Sequence, residues 1–246
     1  MDVKNRAERK ALILQNAARE GPGIFGLIMD HKGWTMKTFH LYRGEPVPSD
    51  WRSYDLLVVM GGPMNVYEEE TYPFLTEETR VIDNALTEGF PVIGFCLGAQ
   101  LMAKASGAIV VKGPKKEIGW YPVRLTEQGM QDPLLKLFPN KFVVFQWHGD
   151  IFELPGSAVR LVTSSGYFNQ AMRLGSVSYG FQFHFEITRD MIAEWLKTGK
   201  QEIEEMDDKD LPGIILANSD RYLPPLHSLG GSFFNNYLDM IESLSC

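Results

Sequence analysis

Pro91-Val92-Ile93-Gly94-Phe95-Cys96-Leu97-Gly98-Ala99-Gln100 is the stretch on which the reading of this chain turns. Its first half is short and apolar, as a strand buried on both faces of a sheet must be. Gln100, Leu101 and Ala103 then continue it with a helical pattern. Cys96 falls at the junction. A strand that turns sharply into a helix holds the junction side chain out at the carboxyl edge of a sheet. Such a turn strains the backbone and needs neighbours without Cβ bulk, and Gly94 and Gly98 flank Cys96. The start of a helix also favours a thiolate, which predicts a Cys96 pKa below the free-thiol value of about 8.5. The backbone N–H of Leu97 would point at the same spot, forming half of an oxyanion hole. A buried structural cysteine beside a glycine-rich turn fits the same residues, so the turn alone leaves both readings open.

Working outward, Leu56-Leu57-Val58-Val59-Met60 is a second fully apolar run, stopping at Gly61-Gly62-Pro63. A helix is expected between the two runs, with Thr76 as its N-cap, Glu77 and Glu78 at its positive end and Gly89 ending it. Strand, loop, helix, strand, tight turn and helix in succession predict an α/β fold with a doubly wound, mostly parallel open sheet. Ala11–Gln15 and 34–42 read as the first strands. The second half is richer in strands: 123–125, 142–145, 159–163, 170–173 and 179–183. A helix over 189–199 is expected with Thr188 as its cap, followed by an acidic irregular stretch over 201–212. Phe233, Phe234, Tyr237, Leu238, Ile241 and Leu244 form the stripe of a last helix, read as core packing. No repeat or long linker divides the chain, so residues 1–246 read as a single domain.

The chain has 246 residues and a net charge of -7 without a basic stripe, which argues against nucleic-acid and anionic-membrane partners. Lys112, Lys115 and Lys116 read as a solvated loop rather than a phosphate site. The two cysteines are Cys96 and Cys246, the latter at the end of the chain, so a structural disulfide is not expected and a reducing, cytoplasmic compartment is. The charged start carries no secretory signal, and no apolar run reaches the ~20 residues that span a bilayer.

A thiolate needs a base, and the base needs an orienting group. Of five histidines, His184 stands at the end of an apolar strand with Glu186 two residues on. In extended chain these two point to the same face, so Glu186 can hold one imidazole nitrogen while the other faces Cys96. The same pair could ligate a metal, although no third His, Cys or Asp cluster supports that reading. Gly61-Gly62-Pro63, after its own buried strand, would lie at the same sheet edge, with the Gly62 N–H as a second oxyanion donor. Taken alone, those three residues fit an ordinary strand stop better.

Together these features resemble the class I glutamine amidotransferases. The Gly-x-Cys-x-Gly-x-Gln motif stands at 94–100, the Gly-Gly-Pro loop at 61–63, and the Phe-His-Pro-Glu motif as Phe183-His184-Phe185-Glu186, with Phe185 in place of the usual proline. Gly61 to Tyr67, Glu117-Ile118-Gly119-Trp120 and Trp147-His148-Gly149-Asp150 make the chain similar to the glutaminase domains of GMP synthetases. The resemblance implies a flavodoxin-like sheet and a Cys96–His184–Glu186 triad that hydrolyses a glutamine side-chain amide through a γ-glutamyl thioester. It also implies an oxyanion hole from Gly62 and Leu97, and substrate contacts from Gly61, Gln100, Gln146, Trp147 and His148. Neither a cofactor nor a metal is implied. The partners would be a small molecule, L-glutamine or another γ-glutamyl compound, and a separate synthase subunit receiving ammonia. A γ-glutamyl peptidase or amide hydrolase uses the same thioester and stays open as an alternative. A catalytically silent binding module is disfavoured by the intact Cys96, His184 and Glu186. The acidic stretch from Gln201 to Asp210 reads as solvated rather than as a docking surface.

Overall fold

The computed structural model describes residues 9–244; Cys246 lies outside them. Nine strands form one sheet in the order β2-β1-β3-β4-β9-β8-β7-β5-β6. In chain order they are β1 (Lys10–Gln15), β2 (Thr35–His40), β3 (Leu56–Val59), β4 (Val92–Phe95), β5 (Val110–Leu125), β6 (Lys141–Phe152), β7 (Ala158–Thr163), β8 (Ala171–Leu174) and β9 (Ser178–Phe181). The run β2-β1-β3-β4-β9 is parallel throughout. The strand-rich second half continues from it as antiparallel β8, β7, β5 and β6. The helices are α1 (Gly23–His31), α2 (Phe74–Thr87), α3 (Leu97–Ala105), α4 (Glu127–Gln131), α5 (Arg189–Thr198), α6 (Lys200–Glu204) and α7 (Leu211–Leu244). None among the described residues is long and apolar enough to cross a membrane.

The unbroken apolar runs in the sequence have a direct cause. Ala11, Ile13, Leu56 and Val58 face one core, which α1 fills with Phe25 and Met29 and α7 with Phe233, Phe234, Tyr237 and Leu238. Their chain neighbours Leu12, Leu14, Leu57 and Val59 face a second core, filled by Val81 and Ile82 of α2 and Leu101 and Met102 of α3. Every residue of β3, and of β1 after Lys10, is therefore buried, and the alternation of a half-exposed strand is lost.

The structure departs from the sequence reading at several elements. α2 starts three residues early, after Pro73, whose φ of -58 suits a helix start where no N–H is needed; Thr76 lies inside the first turn and is not the cap. α1 had no counterpart in the reading. β5 and β6 are far longer than expected, and Lys112, Lys115 and Lys116 belong to β5 rather than to a loop, where the pairing register breaks between Lys112 and Glu117. The acidic stretch contains α6 and leads into α7, which begins 22 residues before Phe233 and runs through Pro224 and Pro225. Thr188 does cap α5, its side chain accepting from the Met191 N–H.

α7 is fixed to the sheet by aromatic packing. Phe234, fully buried, stacks on Phe25 at 4.4 Å and meets Phe185 at 4.7 Å between ring centroids. Phe234→Ala is expected to cost about 3–5 kcal/mol in urea unfolding, the usual range for truncating a buried phenylalanine. A loss below about 1 kcal/mol would mean that the stack does not anchor the helix.

Candidate active site

The carboxyl ends of β1, β3, β4 and β9 meet at one edge, which in a doubly wound sheet is where ligands bind. They deliver Asn16–Glu20, Gly61 and Gly62, Cys96, and Gln182–Glu186. Cys96 sits between β4 and α3 at φ 48 and ψ -106, a region that residues with a Cβ seldom adopt. Its N–H donates to the Phe181 carbonyl at 2.7 Å and its carbonyl accepts from Gln100 N–H at 3.0 Å, so the turn is pinned from both sides. The flanking glycines are required by contact. A Cβ on Gly98 would lie 2.1 Å from the Val59 carbonyl oxygen, and one on Gly94 would lie 2.6 Å from the Gly98 carbonyl carbon.

His184 and Glu186 share one face of the chain, while Phe183 and Phe185 are buried on the other side. The His184 N–H donates to Phe145 O at 2.9 Å, forming an isolated bridge to β6. Its Nδ1 lies 2.6 Å from Glu186 Oε1, and both side chains are 1% exposed. A carboxylate accepts, so Nδ1 carries the hydrogen and Nε2 is the atom available to the thiol; it makes no hydrogen bond among the described residues. The Trp195 ring packs edge-on against the imidazole at 4.7 Å. At rest the Cys96 thiol donates to Trp147 O at 3.6 Å and accepts from Gln182 Nε2 at 3.6 Å.

The electrostatics follow from burial and neighbours. Burial pushes the Cys96 thiol up, against the pull of His184 and the Leu97 N–H, and Glu20 adds to the rise. The helix start therefore does not dominate, and the low thiol pKa expected from the sequence is reversed by desolvation. Burial alone would push His184 down, but the Glu186 carboxylate and the Cys96 thiol outweigh it and hold the imidazole well above the usual histidine range.

Cys96 opens onto a cavity of about 420 Å³ whose wall includes Glu20, Gly62, Gln100, Trp147 and His148. The remaining sequence-derived positions are placed as follows. Gly61 lies beside the imidazole, where a Cβ would fall 3.2 Å from His184 Cε1. Gln100 turns its Nε2 to Asp150 O and Gln182 Oε1, at 3.1 and 3.2 Å. His148 spends both ring nitrogens on acceptors, Asp150 O at 3.1 Å and Glu117 Oε2 at 3.3 Å. Gln146 is not brought to the cavity wall; its buried Nε2 donates to Gln170 Oε1 at 2.7 Å. Among the described residues no group of three or more His, Cys, Asp or Glu side chains could hold a metal ion.

Two residues at this edge were not singled out from the sequence. Gln182 was legible, since it precedes His184 by two positions and shares its face. Glu20 was not, because no periodic pattern marks the loop after β1. Glu20 is 5% exposed, and its carboxyl group stands against Gly61 with Arg19 Nε 3.8 Å away.

Comparison with known proteins finds similarity over most of the chain. The family model described as glutamine amidotransferase class-I matches residues 34–214. The glutamine amidotransferase-like protein YfeJ of Salmonella typhimurium is 36% identical over 193 residues, which cover 77% of this chain and 81% of that one. The GMP synthase of Thermosipho africanus is 33% identical over 134 residues, 54% of this chain but 24% of that enzyme. A glutamine amidotransferase from Thermotoga maritima superposes with a TM-score of 0.84 at 34% identity, covering 94% of this chain and 99% of that one.

Burial raises the Glu20 carboxyl from 4.5 to about 6, despite the opposing charges of His184 and Arg19. A folded-state pKa above the unfolded one contributes stability that is complete below about pH 4.5 and lost as pH rises through about 6. Glu20→Gln should therefore match the parent in thermal unfolding near pH 4 and exceed it above pH 6, by about 2 kcal/mol at 1.36 kcal/mol per pK unit. Equal stability at both ends of the range would show that Glu20 is not held in a desolvated site.

Proposed function

This chain belongs to the class I glutamine amidotransferase family, and on that premise we propose that it hydrolyses the side-chain amide of glutamine through a thioester on Cys96. The observation that carries the reading is the strained Cys96 turn opening onto the cavity, with the His184–Glu186 pair at 2.6 Å behind it.

His184 Nε2 takes the thiol proton as Cys96 sulfur attacks the amide carbon. Glu186 favours the imidazolium that forms, which is the direction in which it already biases His184. The oxyanion is held by the N–H groups of Gly62 and Leu97. His184 returns the proton to the amide nitrogen, the C–N bond breaks and ammonia leaves. Water then enters, gives a proton to His184 and attacks the thioester, releasing glutamate and restoring the thiol. Gly61, Gln100 and Trp147 shape the substrate pocket. His148 is given no proton role, because Glu117 and Asp150 occupy its nitrogens. Gln146 acts through Gln170 as support for the wall. Similarity to a GMP synthase supports donation of the ammonia to a synthase subunit. The cavity of about 420 Å³ exceeds what a glutamine side chain fills, which keeps γ-glutamyl amides and peptides as the second reading.

The test is release of ammonia and glutamate from L-glutamine, with γ-glutamyl peptides in parallel. The parent should turn over glutamine and show a covalent γ-glutamyl adduct on Cys96 by intact-mass spectrometry. Cys96→Ser should lose turnover while keeping its fold. Glu186→Gln, which leaves His184 wrongly held, should lose about 10³–10⁴-fold in kcat. Turnover of peptides without glutamine would move the assignment to the second reading, and an undiminished Cys96→Ser would overturn both.

A further inference from the structure

Glu78, on α2, is fully buried, and so is Asn16, which follows β1. Asn16 Nδ2 uses both of its hydrogens: one goes to Met60 O at 3.0 Å, the other to Glu78 Oε1 at 3.2 Å. Met60 is the residue before Gly61, and a Cβ on Gly62 would lie 3.1 Å from Asn16 Cβ. Asn16 is thus in contact with both ends of the short segment that carries the Gly62 N–H. Two buried oxygens, Asn16 Oδ1 and Glu78 Oε2, are left without a partner. An orphaned buried acceptor is destabilising, and here two belong to adjacent side chains already joined by one bond.

They satisfy each other only if Glu78 is a neutral acid. A carboxylic hydroxyl on Oε2 donates, the amide Oδ1 accepts, and a small turn of the carboxyl group closes a reciprocal acid–amide pair. We propose that protonated Glu78 and Asn16 form a brace that fixes the Met60 carbonyl, and through it the Gly61–Gly62 segment, in the position that receives the oxyanion. Glu78 is then a positioning residue that touches no substrate. The role in turnover rests on the reading of Gly62 as an oxyanion donor.

The environment keeps the acid neutral at physiological pH. Burial pushes the Glu78 carboxyl up to about 8, and the Asn16 bond is the one influence opposing it. Among the described residues, no charged side chain on β1, β3 or α2, or on the segments that follow the strands, acts on it. When the proton is lost, the donor on Oε2 disappears and a carboxylate faces an amide oxygen. The brace opens and the loop is released.

Glu78→Gln separates this account from a plain core role. A glutamine amide donates to Asn16 Oδ1 and accepts from Asn16 Nδ2, keeping the brace while removing the titration. Glu78→Leu removes the brace. The parent should lose kcat progressively above about pH 8 with KM little changed, since an oxyanion donor acts in the transition state. Glu78→Gln should keep the neutral-pH kcat and hold it through the alkaline range. Glu78→Leu should lose part of the ~10²–10³-fold that an oxyanion donor supplies, at every pH. Backbone hydrogen exchange over residues 58–66, corrected for intrinsic rates, gives a second readout that needs no turnover. Protection should fall above about pH 8 in the parent and stay constant in Glu78→Gln. A parent that releases no ammonia yet shows this exchange pattern would overturn the functional reading and leave the brace standing. Parallel pH profiles of exchange and of rate in parent and Glu78→Gln would overturn the brace.

Discussion

The approach of α3 to β3 sets the position of every other group at the sheet edge. The Gly98 backbone packs so close to the Val59 carbonyl that a methyl group there would lie 2.1 Å from the oxygen. That contact brings the first turn of α3 down onto the sheet and forces the chain to reverse within one residue, which leaves Cys96 at φ 48. A strained backbone of this kind costs about 1–3 kcal/mol and persists because its surroundings over-determine it. Here the surroundings are the 2.7 Å bond to Phe181 O on β9, the 3.0 Å bond from Gln100 and the filled cores on either side. A larger residue at position 98 would lift the helix and carry Cys96 away from His184.

The second half of the site follows from simple alternation. Residues 183 and 185 enter the aromatic core, so 182, 184 and 186 point to the opposite side. Phe185 stands where the family pattern has proline, and the packing shows what secures the segment in its absence: contact with Phe181 at 4.5 Å and with Phe234 at 4.7 Å. A proline restrains φ by its ring, whereas a buried phenylalanine restrains the segment by the cost of pulling it out of the core. The Ile24 N–H, which donates to Glu186 O at 2.8 Å, ties the end of the motif to the start of α1. The His184–Glu186 geometry therefore depends on α1 and α7, whose residues contribute nothing to the cavity wall.

The sequence made the centre of the parallel half legible because β3 and β4 are buried on both faces, with Gly61-Gly62-Pro63 soon after the one and Pro91 just before the other. The motif residues were legible for the same reason, since chemistry at a strand end leaves an abrupt change of residue type. The antiparallel ribbon was not. Lys112, Lys115 and Lys116 read as a loop, yet β5 runs through them: Lys112 pairs with Asp150, Glu117 with His148, and in the break between them Lys115 is held by the Tyr167 hydroxyl, a contact that no local pattern announces. α7 was obscured by Pro224 and Pro225, whose local cost is outweighed by the buried stripe that continues on both sides of them, from Leu223 and Leu226 to Phe233 and Phe234. Asn16, Glu20 and Glu78 were invisible for a different reason. Glu78 sits on the buried side of an otherwise ordinary amphipathic helix and reads as a first-turn acid that complements the helix dipole, and only tertiary structure shows that it faces inward.

These carboxyl groups share a pattern. Glu20, Glu78, Glu117 and Glu186 are all buried at or beside one end of the sheet, each against a neutral or shared-proton partner or within reach of one cation. Burying a carboxylate is costly, and a fold selected for stability alone would replace such groups with apolar ones. Other buried carboxyl groups stand away from the site, Asp132 beside Arg173 and Glu242 beside Trp34, but Glu20 acts on Cys96 and Glu186 on His184, as in a site whose proton positions are set by burial and neighbouring charge. Glu78 has only an amide beside it and burial pushes its carboxyl up, whereas Glu186 has an imidazole to pair with and holds His184 above the usual histidine range. The same physical cost is thus met in two different ways within one sheet edge, and the partner residue, rather than the depth of burial, decides which.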